Sequence, residues 1–142
     1  MSKVIIDTDI YIDFLRSGLF DSFVRALYTF RRHDIFFSSV VIEELLQGVL
    51  DSKGKKYVEI LFKPFEKVGR IVTPHHSDWK EAGNILSSIR KKYPHYGNKS
   101  KGLVNDALIA VSARRIGATL YSSNKKDFEL LQKIKNFDFS LI

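Results

Sequence analysis

Several acidic residues in this chain follow or flank short apolar segments, where carboxylates can bind a metal ion and carry out hydrolysis. Asp7 and Asp9 come directly after the apolar run Val4-Ile5-Ile6. Open α/β sheets place their chemistry at the carboxyl ends of strands, so this position predicts an active site. Three further acids occupy comparable settings: Glu44, Asp106 and Asp127. Taken together, these acids predict a metal site.

Alternating apolar periodicities predict the elements that would bring these acids together. Strands are predicted at 3–6, 35–37, 68–72, 118–122 and, less regularly patterned, 137–141. Helices are predicted at 10–15, 20–32, 38–50, 55–65, 77–92, 103–116 and 126–134. Strands separated by helices favour an α/β fold with a parallel sheet of four to five strands, covered on both faces.

Length and composition favour one domain over residues 1–142. The chain has 142 residues and 44% hydrophobic content, enough for one compact core. It contains no cysteine, which excludes disulfides and Cys-ligated zinc. Its apolar runs are too short to span a membrane, and the first twenty residues contain three aspartates rather than a targeting signal. We expect a cytoplasmic protein with no membrane partner.

The charge balance is basic although the predicted strand ends collect acids. A net charge of +7 and a pI near 9.6 suit a polyanionic partner, although a basic surface also aids solubility. Acids gathered in a basic protein need a cation or a proton to offset them. This contrast favours a nucleic acid as partner and a metal ion at the acids.

The ordered motifs in this chain resemble those of a known family. The motifs are Asp7-Thr8-Asp9, Glu44-Leu45 with Gly48, Asp106-Ala107-Leu108-Ile109-Ala110, and Ser123-Asn124 with Asp127-Phe128. They resemble the four acidic motifs of PIN domains, specifically the small VapC-type ribonuclease toxins. The resemblance implies a three-layer α/β/α sandwich, a bound Mg²⁺ or Mn²⁺, and hydrolysis of RNA by water. It also implies a homodimer and a cognate antitoxin.

The same resemblance implies the site residues. Asp7, Glu44, Asp106 and Asp127 correspond to the acids that are both catalytic and metal-binding. Asp9 and Asn124 are candidates for supporting contacts. Each acid has a structural alternative, since Asp7 or Asp127 could cap a helix and Asp106 could act on a helix dipole. Glu43 and Glu44 point about 100° apart on a helix, and the motif match selects Glu44.

Residues 91–101 form the candidate RNA contact. Lys91, Lys92, Lys99 and Lys101 could bind phosphates, and two tyrosines among them could stack on bases. The alternative is a solvated connection.

Other aromatic and histidine residues are interpreted structurally. His75 and His76 lack the spacing of a zinc pair and are assigned to a turn or helix start. Trp79 shares helical spacing with Ala82, Ile85 and Leu86, which predicts a core stripe rather than a base-stacking surface.

Two other classes of function fit parts of the pattern. An apolar strand followed by Asp7-Thr8-Asp9 resembles the nucleophile motif of haloacid-dehalogenase-type phosphatases. That family pattern requires Thr or Val where Tyr11 stands and paired acids after a late strand, where Ser122-Ser123-Asn124 stands instead. The other alternative is a PIN-like module that binds RNA or a protein without cleavage. The set of acids argues against it.

Overall fold

A computed structural model describes residues 3–96 and 102–142. Its five strands are β1 (Lys3–Ile6), β2 (Phe37–Ser38), β3 (Ile71–Val72), β4 (Ala118–Ser122) and β5 (Phe139–Leu141). Its seven α-helices are α1 (Thr8–Ser17), α2 (Asp21–Phe30), α3 (Ser39–Gln47), α4 (Ser52–Lys67), α5 (His76–Lys92), α6 (Val104–Ile116) and α7 (Lys125–Ile134). Short 3-10 turns lie at Arg32–Asp34 and Pro94–Tyr96.

All strand pairs described are parallel. β4 lies between β1 and β5, and β2 pairs with β3 in a second, two-stranded sheet. A single bridge between Val4 and Ile35 joins the two sheets, and the Phe36 amide donates to the Val4 carbonyl at 2.8 Å. The predicted α/β fold with parallel strands is confirmed. β2 and β3 are shorter than expected, with two residues each.

Local sequence signals explain where the helices begin and end. Gly18 and Gly117 follow α1 and α6 with φ of 73° and 71°, the left-handed conformation that glycine adopts without strain. Ser38 caps α3 by accepting a hydrogen bond from the Val40 amide. Pro64 lies inside α4, a position where proline is disfavoured. Its neighbour Phe65 is 1% exposed, so tertiary packing holds this helix together.

The predicted core role of Trp79 is wrong, since its side chain is 56% exposed. The buried face of α5 instead repeats at Asp78, Ala82, Ile85 and Ile89. Asp78 occupies a core position because its carboxylate accepts hydrogen bonds from the Arg115 side chain and the His75 amide, each at 2.8 Å. The buried face thus includes Asp78 instead of its neighbour Trp79, and successive helical residues point about 100° apart, which turns Trp79 away from the core.

The hydrophobic core lies around β1 and β4. Val4, Ile5, Ile6 and Leu120 are at most 2% exposed, as expected of strands covered on both faces. Within the two described ranges, no helix has the length and apolar character needed to cross a membrane.

Candidate active site

Asp7 lies at the carboxyl end of β1 and caps α1. The ladder between β1 and β4 extends to it, because its amide donates to the Tyr121 carbonyl at 2.8 Å. One carboxylate oxygen accepts from the Thr8 amide at 2.8 Å and the other from Ser122 Oγ at 2.7 Å. Burial raises the pKa of Asp7 well above its usual value, and the negative charges of Asp9 and Asp106 add to this effect.

Asp9 is held by the residues that follow β4. Its Oδ2 accepts from the Ser123 amide at 3.1 Å and from the Ser123 hydroxyl. Ser122 Oγ lies 3.4 Å from both oxygens. Ser122 therefore contacts both aspartates of the Asp7-Thr8-Asp9 motif.

The two adjacent glutamates of α3 point in different directions. Glu44 Oε1 accepts from Thr8 Oγ1 at 2.7 Å, which directs it toward the Asp7-Thr8-Asp9 motif. Glu43 is exposed and accepts from Gln47 Nε2 at 3.1 Å. Of the two, Glu44 is the one that the structure places at the site.

Asp106 lies in the first turn of α6 and is partly buried. Burial, followed by the negative charges of Asp127, Glu44 and Asp9, raises its pKa to about 7. These charges act on Asp106 because the acids come near one another in space. The structure thus gathers acids from four separate motifs around α6.

Asp127 lies in the first turn of α7, where Asn124 is the N-cap. The Asn124 amide oxygen accepts from the Asp127 amide at 3.3 Å, and its Nδ2 donates to the Asp127 carboxylate at 3.1 Å. The Asn124 side chain therefore caps the helix and orients the acid at the same time.

The donor set suits a hard divalent cation, but the acids do not form a preassembled cage. Among residues 3–96 and 102–142, no group of three acidic or histidine side chains lies close enough to hold a metal ion. Hydrogen bonds instead engage Asp7, Asp9, Glu44 and Asp127. The charges that raise the pKa values of Asp7 and Asp106 are all carboxylates. Carboxylate oxygens of this kind fit Mg²⁺ or Mn²⁺, which need only one or two protein carboxylates.

Sequence reasoning missed the hydroxyl groups that hold these acids. Thr8, Ser122 and Ser123 supply them, and Ser122 is completely buried. A polar residue at the end of the apolar strand β4 was the available signal, since a buried hydroxyl needs a partner.

The predicted RNA contact is only partly described. Lys91 and Lys92 are exposed at the end of α5, whereas Lys99 and Lys101 lie outside the described residues. Tyr96 lies with Lys126 and Asp127 around a small cavity, and the Lys126 ammonium stands 6.0 Å from the Tyr96 ring. Lys126 therefore brings a positive charge to the margin of the acidic site.

Comparison with protein families places these features in a known context. The sequence profile of the PIN domain matches residues 4–134, which includes all the acids described above. The chain belongs to the PIN domain family. This membership agrees with the predicted resemblance and leaves the phosphatase alternative without support. No curated protein sequence matches the chain significantly.

Solved structures with this fold include VapBC complexes. VapBC2 from Rickettsia felis, bound to a DNA fragment from its promoter, contains a chain with 26% identity and a TM-score of 0.68, with 98% of each chain covered. DNA-bound VapBC from Salmonella typhimurium gives 19% identity and a TM-score of 0.70, covering 99% of this PIN domain and 98% of that chain. VapBC-1 from nontypeable Haemophilus influenzae contains a chain with 19% identity and a TM-score of 0.65, with 97% of this PIN domain and 96% of that chain covered. The PIN domain described here has a VapC-like structure.

Proposed function

We propose that this PIN domain is a metal-dependent endoribonuclease and the toxin of a toxin–antitoxin pair. PIN domains are typically metal-dependent nucleases. The observation that carries the proposal is the convergence of acids from four motifs, with Thr8 joining Glu44 to the Asp7-Thr8-Asp9 motif. Burial, and then the negative charges of Asp127, Glu44 and Asp9, raise the pKa of Asp106 to about 7. The net charge of the chain, +7, supports RNA as the substrate.

Asp7, Glu44, Asp106 and Asp127 would hold Mg²⁺ or Mn²⁺, with Asp9 and Asn124 in support. When bound, such an ion supplies activation of water and stabilisation of charge on the scissile phosphate. The hydroxyls of Thr8 and Ser122 fix the orientations of Glu44 and Asp7, and Asn124 fixes that of Asp127. These hydrogen bonds restrict the orientations of three of the four carboxylates, and restricted side chains favour a functional site.

The direct test is RNA cleavage by purified variants. Asp7→Asn and Asp106→Asn each preserve side-chain shape but remove a charge that the cation needs, and we expect each to abolish cleavage. Asp138→Asn removes a charge from an exposed residue outside the site and should cleave like the parent. Wild-type rates in either site variant would contradict the assignment.

Metal removal and product analysis test the mechanism separately. Cleavage should require Mg²⁺ or Mn²⁺, stop in EDTA and be poorly supported by Ca²⁺. Attack by water with a 3′-oxygen leaving group gives 5′-phosphate ends, detectable by a 5′-phosphate-dependent exonuclease. Full activity in EDTA, or 2′,3′-cyclic phosphate ends, would point to a ribonuclease that uses no metal.

A groove beside Glu44 supports a protein partner. Its volume is about 310 Å³, and it runs between α1, the end of α3 and the start of α4. Leu15, Leu50 and Tyr57 line it and are 37%, 98% and 50% exposed. Apolar surface of this kind is typical of a protein interaction site. Because the solved neighbours are VapBC complexes, we infer that an antitoxin binds this groove.

The remaining features of the proposed function follow from the family resemblance. A homodimer and a cytoplasmic location are part of the proposal. Sedimentation velocity of the purified protein tests the first, and subcellular fractionation tests the second.

A further inference from the structure

We propose that an open pocket around Trp79 binds a nucleobase of the RNA, next to the acidic site. The pocket has a volume of about 430 Å³, within the range of small-molecule sites, and lies between α3, α5 and α6. We call it the Trp79 pocket. The inference rests on the proposed ribonuclease activity and names a contact to the substrate outside the carboxylates.

The Trp79 pocket borders the acidic site along two helices. Glu43 of α3 and Asn105 of α6 line the pocket. Each directly precedes an acid assigned to the site, Glu44 and Asp106 respectively. Successive residues on a helix point about 100° apart, so the pocket and the acidic site occupy neighbouring faces of the same two helices. A strand of RNA at the acids can reach the pocket within a short length.

The lining of the pocket combines an aromatic face with hydrogen-bonding groups. Trp79 exposes 56% of its surface, and Val40 and Leu108 add apolar surface. Ser39 and Gln47 add a hydroxyl and an amide, beside the Glu43 carboxylate and the Asn105 amide. An unstacked base needs this combination, because its faces stack on aromatic rings and its edges hydrogen-bond to polar side chains.

A second copy of the chain is the competing occupant. Of the described residues that line the pocket, only Trp79 exposes a large apolar surface, and most of the others are polar. The cores of protein interfaces are instead depleted of charged residues and rich in apolar contacts. The position beside the acids also favours the substrate over a partner copy.

Trp79 is the only tryptophan in the chain, so its intrinsic fluorescence reports directly on the pocket. The experiment uses the Asp7→Asn protein, a single-stranded RNA, and an RNA of equal length with abasic sugars. We expect the RNA to quench or shift the fluorescence and the abasic RNA to bind without doing so. A fluorescence signal that stays constant while labelled RNA binds, as measured by anisotropy, would overturn the proposal.

Substitutions give a second measurement. Trp79→Ala in the Asp7→Asn protein should weaken RNA binding roughly tenfold, the loss expected from one base–aromatic stack, and Trp79→Phe should restore most of it. Phe30→Ala is the matched control, because Phe30 is an aromatic residue of α2 with 81% exposure outside this pocket. Equal effects of Trp79→Ala and Phe30→Ala would reject a specific subsite.

The remaining outcomes separate this inference from the proposed function. If Trp79→Ala dissociates a dimer in sedimentation velocity but leaves RNA affinity intact, the pocket is an interface between copies and the proposal is wrong. If the parent protein shows no metal-dependent cleavage but RNA still quenches the Trp79 fluorescence, the nuclease assignment is wrong and the base pocket remains supported.

Discussion

Hydroxyl groups, rather than basic side chains, position the acids at the site. Ser122 donates to Asp7, Ser123 to Asp9, and Thr8 to Glu44. A hydroxyl orients a carboxylate without neutralising its charge, whereas a lysine would compete with a metal ion for it. The hydroxyl groups of Thr8, Ser122 and Ser123 therefore orient these carboxylates without competing with a metal ion for them.

The adjacent glutamates of α3 provide a matched pair of variants. Glu44→Gln should reduce cleavage by at least a hundredfold, because Glu44 contacts Thr8 beside Asp7 and contributes negative charge at Asp106. Glu43→Gln should reduce the rate far less, since the neutral side chain can still accept from Gln47 and can still hydrogen-bond within the Trp79 pocket. Both rates are measured under single-turnover conditions. Equal losses would show that the wrong neighbour was assigned.

Asp106 should make the stability of the metal-free protein depend on pH. Its pKa is about 7 in the folded protein and roughly 3.9 in an unfolded chain. Between these values the folded state binds more protons, so the free energy of unfolding falls as pH rises from about 4 to about 7. Asp7, whose pKa is also raised, acts in the same direction.

Asp106→Asn should remove the part of this dependence that Asp106 contributes, leaving that of Asp7, and stabilise the metal-free protein at pH 8. We expect a gain of about 1–3 kcal/mol at pH 8 after allowing for the partial exposure of Asp106, and little gain at pH 4. Urea unfolding in EDTA at both pH values measures the change in the free energy of unfolding. Asp138→Asn is the control for loss of a charge. A gain of the same size at both pH values would exclude titration of Asp106 as the cause.

The sequence predicted the acids but not their environment. Position after an apolar run singled out Asp7 as a candidate, and the motif resemblance added Asp106 and Asp127. The directions of Glu43 and Glu44 followed from helix geometry together with the motif. The roles of Ser122 and Ser123 were not predicted because they contact Asp7 and Asp9 only through the pairing of β1 with β4, and tertiary pairing is not visible in local patterns.

At the scale of elements, α5 shows why a periodic pattern can mislead. The sequence pattern offered Trp79 as an apolar member of the buried stripe, whereas the structure buries Asp78 in its place. Pairing with Arg115 from α6 satisfies the Asp78 carboxylate, and a satisfied carboxylate can occupy a core position. The end of α6 lies at the predicted residue 116, because Gly117 acts there through local backbone conformation alone.

The Asp78–Arg115 pair should anchor the start of α5. Asp78→Ala removes a hydrogen bond to the His75 amide and leaves Arg115 without its carboxylate, which should cost about 1–3 kcal/mol. Asp21→Ala breaks the exposed Asp21–Arg25 pair and should cost less than about 1 kcal/mol. Chemical denaturation of both variants measures the difference. Equal losses would place the Asp78 pair among ordinary surface pairs.

At the scale of the whole molecule, the positive charge should govern RNA affinity. Replacing Lys91, Lys92, Lys99 and Lys101 by Ala in the Asp7→Asn protein should weaken binding to unrelated RNA sequences. Each lost phosphate contact reduces the slope of log affinity against log salt by roughly 0.7 for single strands, so two contacts flatten it by about 1.4. Fluorescence anisotropy over a salt series measures the slope.

A control with equal charge separates local contact from net charge. Lys53, Lys56, Lys63 and Lys67 all belong to α4. Replacing them by Ala removes the same four charges and should change the slope less. If both quadruple variants have the slope of the parent, RNA contacts lie elsewhere and residues 91–101 are a solvated connection.

The hydrogen bond between Ser122 and Asp7 joins residues 115 positions apart in the sequence. Both Asp7 and Ser122 must be synthesised, and β1 must pair with β4, before this hydrogen bond can form. A ribosome-bound chain that has not yet emerged through Ser122 therefore lacks the partner that orients Asp7. The order of synthesis thus keeps the nascent protein from assembling its acidic site before Ser122 has left the ribosome.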